Sequence, residues 1–110
     1  MGAKQTMEII FKILEKLEEA MDKDHFDWKN EISHEAIGIT KNRWILIIDM
    51  MNNNGLIEGL SINRGAQGDI TIVTAQPRIT LKGINFLIEN SQTAKVIEAA
   101  KLIKDFIPGY

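Results

Sequence analysis

Four helix-boundary residues, Ser33, Gly38, Thr40 and Gly55, leave the middle of this chain few ways to fold. Ser33 has the side chain of an N-cap, and Gly38 breaks the helix it would start within a turn or two. Thr40 is placed to cap the next helix. Its apolar spacing carries it to about Asn53, and Asn54-Gly55 supplies a left-handed stop. Leu56 to Asn63 follows, with Leu56, Ile57, Leu60 and Ile62 partly alternating, and Asp69 to Thr74 alternates cleanly through Ile70 and Ile72. The connection Asn63-Arg64-Gly65-Ala66-Gln67-Gly68 holds an asparagine and two glycines that tolerate positive φ, as a hairpin tip requires.

The flanks add helices. Thr6 to Met21 places Ile9, Ile10, Ile13, Leu14 and Leu17 on one helical face, with Lys12, Glu15, Lys16, Glu18 and Glu19 opposite. Asp22-Lys23-Asp24 dissolves that pattern, and His25-Phe26-Asp27-Trp28 alternates just long enough for a short strand or an extended linker, the strand being the reading taken into the element order. Pro77 ends the second hairpin strand or sits at its edge. Thr80 then caps a helix through Glu89 on Leu81, Ile84, Leu87 and Ile88. After Asn90-Ser91 a last helix is predicted from about Thr93 to Ile107. It carries Val96, Ile97, Ala100, Ile103, Phe106 and Ile107, and Pro108-Gly109 closes it. The order α-β-α-α-β-β-α-α predicts an α+β winged helix: a helix-turn-helix, a β-hairpin wing and two C-terminal helices. One domain is expected over 1–110, with the helix at about 93–107 available for packing or dimerisation.

Composition sets bounds on function. A chain of 110 residues with 45% hydrophobic and 25% charged residues can bury a core without staples, and the absence of cysteine removes disulfides, thiolate zinc sites and a cysteine nucleophile. A reducing, cytoplasmic setting is the expectation. The longest apolar runs, such as Trp44 to Ile48, are far shorter than the roughly 18 residues of a membrane span. The net charge of −2 gives no global basic excess of the kind that displaces counterions from phosphates.

Several segments together carry a family resemblance: Gly38-Ile39-Thr40, Trp44, Gly55-Leu56-Ile57, Ile79-Thr80-Leu81-Lys82-Gly83-Ile84-Asn85-Phe86-Leu87-Ile88-Glu89-Asn90 and Lys101-Leu102-Ile103-Lys104-Asp105-Phe106-Ile107. With them the chain resembles the YjcQ family of small bacterial and phage-associated winged-helix proteins, over roughly Ile37 to Ile107. The resemblance implies the fold and a mobile-element setting, and it brings no particular biochemical activity with it. Fold alone does not decide function.

The helix from Thr40 is where function can be argued. At about 100° per residue, Trp44, Ile47, Ile48 and Met51 share a core side, leaving Asn42, Leu46, Asp49 and Asn53 outward and Ile45 and Met50 on the flanks. In a DNA-binding winged helix the outward face reads base edges and basic residues hold phosphates. Lys41, Asn42, Arg43, Asn53, Arg64 in the wing, and Arg78 and Lys82 near the start of the next helix are the candidates for double-stranded DNA. Ile45, Leu46 and Met50 instead suggest an apolar patch for another protein chain or a second copy. Trp28 and Trp44 are read as packing anchors rather than base-stacking platforms.

Enzyme chemistry finds little support. His25 and His34 match no ligand spacing for a metal, and Gly65-x-x-Gly68 lies between strands without the Lys-Ser/Thr of a phosphate loop. No serine stands in a nucleophile-elbow context. No catalytic residue, metal or cofactor is therefore expected. Two functions stay open: a DNA-binding or regulatory winged helix, and a protein-interaction module on the same scaffold.

Overall fold

The computed structural model describes residues 2–90, with the side chains of Thr74 and Ala75 left aside. The helix expected at about 93–107 lies outside the described residues.

Helix α1 (Ala3–Glu19) turns Ile9, Ile10, Ile13, Leu14 and Leu17 inward, as its spacing requires, and a 3-10 turn (Ala20–Asp22) continues it. It begins three residues earlier than the apolar pattern suggests, with the Gly2 amide donating to Gln5 Oε1 at 3.1 Å. The predicted strand at His25–Trp28 does not form. Asp27 instead precedes a four-residue helix, α2 (Trp28–Glu31), and Asn30 donates to both the Asp27 carbonyl and its carboxylate. The alternation there has a tertiary cause: Phe26 is half-buried against the core, and Trp28 stacks on Trp44 with ring centroids 6.2 Å apart at 17°. Trp28 is half-buried and Trp44 fully so, with its indole Nε1 donating to the Ile32 carbonyl at 2.8 Å.

The next boundaries follow local capping chemistry. Ser33 Oγ accepts from the Ala36 amide at 3.2 Å and starts α3 (His34–Ile37), which ends where Gly38 takes φ +86°. Thr40 Oγ1 accepts from the Arg43 amide at 3.2 Å and starts α4 (Lys41–Asn53), stopped by Gly55 at φ +72°. Strands β1 (Ile57–Arg64) and β2 (Ile70–Ile79) pair antiparallel as a two-stranded sheet.

Strand β2 runs five residues further than its clean alternation, past Pro77, because the ladder slips between Glu58 and Leu60. Gly59 forms the bulge at φ +86°, its Cα lying against the Gln76 carbonyl and Pro77. A bulge is a place where a proline's missing N–H does little harm.

Thr80 ties the hairpin to α5 (Leu81–Asn90). Its hydroxyl donates to the Gly55 carbonyl at 2.5 Å and accepts from the Gly83 amide at 3.0 Å, while its own amide donates to the Leu56 carbonyl at 3.1 Å. One threonine thus closes the start of α5 onto the end of α4. The core joins α1 (Ile13, Leu14, Leu17) to α4 (Ile47, Ile48, Met51) and to Leu56, Ile57, Ile79 and Leu87. Phe11 meets Phe86 at 6.0 Å where α5 lies on α1. Leu14 is fully buried at the centre, so Leu14→Ala should cost about 2–5 kcal/mol in a urea melt.

Candidate interaction face

Helix α4 sits between two supports. On one flank, Arg43 Nη1 donates to Thr6 Oγ1 of α1 at 3.1 Å. On the other, Arg64 at the end of β1 donates to Asp49 Oδ1 at 2.7 Å. Between these flanks the outward ridge of α4 presents Asn42, Leu46, Met50 and Asn53.

The geometry alters the reading of two α4 residues. Helical angle alone places Asp49 outward, yet it is only 9% exposed, because Arg64 reaches back from the hairpin and covers it. Ile45 is half-buried against the core and does not line the apolar groove that Leu46 and Met50 share with α1. Leu46 and Met50 keep 51% and 46% of their surface exposed, so they and not Ile45 form the open apolar part of the face.

The basic candidates are dispersed and mostly engaged. Arg64 is paired with Asp49, Arg78 with Glu58 at 3.2 Å, and Arg43 is held by Thr6. Lys41 and Lys82 are exposed, and neither makes an ion pair among the described residues. Lys82 lies beside Gly55, behind the C-terminal end of α4, whereas Lys41 stands at its start. The acids Asp49 and Glu58 thus interleave with the basic residues that a DNA footprint would use.

The Asp49 pair is asymmetric. The Asp49 side chain is mostly buried, while more than half of the Arg64 side chain is exposed. Removing Arg64 takes away both the donor and the cover of Asp49, so water reaches the carboxylate in its place, and removing the Asp49 charge leaves a guanidinium already in water. Arg64→Ala and Asp49→Asn should therefore each destabilise by about 1 kcal/mol or less, read from chemical denaturation.

The open feature of this face is a groove of about 580 Å³ between α1 and α4. Ala3, Thr6 and Met7 of α1 and Asn42, Leu46 and Met50 of α4 form its edges, over Ile10 and Ile47. A second hollow, of about 500 Å³, lies over the bulge, bounded by Gly59, Leu60, Ser61, Val73, Gln76 and Arg78. Sequence reasoning found Leu46 and Met50 from their outward position. It missed Met7 and Thr6, whose part depends on how α1 is laid beside α4.

Among the described residues no group of three or more His, Cys, Asp and Glu side chains is placed to hold a metal ion, and no helix is long and apolar enough to cross a membrane.

Comparison with known proteins places this arrangement. The family model described as YjcQ protein matches residues 11–106, from the middle of α1 past the end of α5. The chain belongs to the YjcQ family. It is similar to the Uncharacterized protein YjcQ of Bacillus subtilis (strain 168), 28% identical over 93 residues that span 84% of this chain and 96% of that protein. No solved structure matches the chain. The Arg64–Asp49 support and the α4 side of the groove fall within the YjcQ match, whereas Ala3, Thr6, Met7 and Ile10 precede it, Thr6 being the partner of Arg43 in the other support.

Proposed function

We propose that this YjcQ-family chain is a winged-helix protein-interaction module, with α3 and α4 as the helix-turn-helix, β1 and β2 as the wing, and the α4 ridge beside α1 as the binding face. The observation that carries this reading is the pair Leu46 and Met50, half exposed on the ridge where a groove-reading helix would present polar side chains. Burying both in a partner would remove apolar surface worth about 25 cal/mol per Å². The engaged state of Arg43, Arg64 and Arg78 supports the same reading, since each already spends part of its donor fork on an intramolecular partner.

Selection of a displayed random peptide library against the chain tests it. Peptides retained by the native face should lose binding to a Leu46→Lys, Met50→Lys variant whose melting curve is unchanged. Selected peptides that bind this variant equally well would contradict the assignment of the face.

A DNA-binding or regulatory role is the second reading. Exposed Lys41 and Lys82, with Asn42 and Asn53 on the ridge, favour it. A duplex held this way would rest on two lysines at opposite ends of α4, few phosphate contacts for useful affinity at moderate salt.

A further inference from the structure

We propose that the outer apolar stripe of α5 is covered by the chain's own residues 93–107, folded back as a helix antiparallel to α5. This stripe lies on a different helix from the α4 ridge and needs nothing from it.

Helix α5 is apolar on two sides. Gly83 and Leu87 are buried in the core, and Phe86 meets Phe11 of α1. Leu81, Ile84 and Ile88, at i, i+3 and i+7, form a second stripe, in which Leu81 is 75% exposed, Ile88 41% exposed and Ile84 half-buried. No other large hydrophobic residue among the described ones is as exposed as Leu81. Three aliphatic side chains in one row on an exposed face gain free energy once something dry is laid over them.

The sequence that follows α5 matches this stripe step for step. At about 100° per residue, Val96, Ala100, Ile103 and Ile107 fall within about 60° of one another, on one face of the helix predicted there. Taken in reverse, Ile103, Ala100 and Val96 repeat the three-residue and four-residue steps of Leu81, Ile84 and Ile88. Both helices rise equally per residue, so a reversal centred on Gln92 sets Ile88 beside Val96, Ile84 beside Ala100 and Leu81 beside Ile103. The same register brings Glu89 to Lys95, a pair of opposite charges.

The end of α5 suits the reversal. Asn90 Nδ2 donates to the Phe86 carbonyl at 3.0 Å, the same bond by which Asn54 closes α4 on the Met50 carbonyl at 2.8 Å. Ser91-Gln92 then leaves a connection of the length that joins antiparallel helices. So short a tether holds the segment beside α5 at an effective concentration that a second copy reaches only in concentrated solution.

The chain contains no cysteine, so introduced pairs report on this register alone. In the full chain at low concentration, Leu81→Cys with Ile103→Cys should close a disulfide within one molecule under mild oxidation, read as a monomer whose gel mobility changes on reduction. Closure should be at least about tenfold faster than for Leu81→Cys with Thr93→Cys, which the register holds about 15 Å apart along the axis. A segment with no fixed place would favour the Thr93 pair instead, because its loop is shorter. Leu81→Ala and Ile103→Ala should each lower the urea midpoint of the full chain, and the double variant should lose less than the two combined. Equal or faster closure of the Thr93 pair, or a Leu81→Ala midpoint equal to that of the native chain, would overturn the inference. Disulfide-linked dimers in place of the closed monomer would overturn it too, by giving the stripe to a second copy.

Discussion

Gly59→Ala should destabilise the chain by about 3 kcal/mol or more, with the loss read as a lower midpoint in urea and a weakened β-sheet signal. Two costs add. Gly59 holds φ +86°, where an alanine costs about 1–2 kcal/mol by itself. The added methyl would also overlap the Gln76 carbonyl and come within 2.9 Å of its carbon and 3.3 Å of Pro77 Cα, all backbone. A side chain could rotate away, but a paired strand cannot. The bulge would have to open, and with it the register that carries Arg64 to Asp49. A variant as stable as the native chain would mean that β1 and β2 do not meet as described.

Gly83→Ala sets two known effects against each other and should also be strongly destabilising. In an exposed helix interior this change stabilises by about 1 kcal/mol through helix propensity. Gly83 is buried in the first turn of α5, where a Cβ would overlap the Leu56 carbonyl oxygen and come within 2.8 Å of Ile79 Cγ1. The oxygen belongs to the segment that Thr80 clamps, so it cannot yield without breaking those bonds. Displacing α5 would withdraw Leu87 from the core and separate Phe86 from Phe11. A net loss of about 2–4 kcal/mol is expected from thermal or urea melting. A gain of stability would show that α5 is not docked on Leu56.

What the sequence revealed of this fold is what local chemistry decides. Ser33, Thr40 and Thr80 act as caps and Gly38 and Gly55 as stops because the partners of a cap lie within a few residues along the chain. The early strand fails for the opposite reason. Four alternating residues cannot be told from a loop by period alone, and the alternation of Phe26 and Trp28 answers to the core and to Trp44. The far end of β2 was hidden because Pro77 reads as a terminator, and only the bulge opposite it explains its place inside the strand.

The face of α4 was readable in part. Helical angle put Leu46 and Met50 near the surface, where they are found. It could not show that Asp49 is covered by Arg64, fifteen residues further on, or that Arg43 turns to Thr6 on another helix. Those long-range pairs shift the balance between the two functional readings, since they engage cations that the sequence alone leaves available to DNA.

The deciding measurement is fluorescence anisotropy of a labelled mixed-sequence DNA duplex titrated with the chain at low and then moderate salt. With Leu46 and Met50 on the α4 ridge and Arg43, Arg64 and Arg78 engaged within the molecule, the expected result is no binding at micromolar protein even at low salt. Salt-sensitive binding that weakens when Arg43 and Arg64 are changed to alanine would contradict the account and make α4 and the wing a DNA-reading surface.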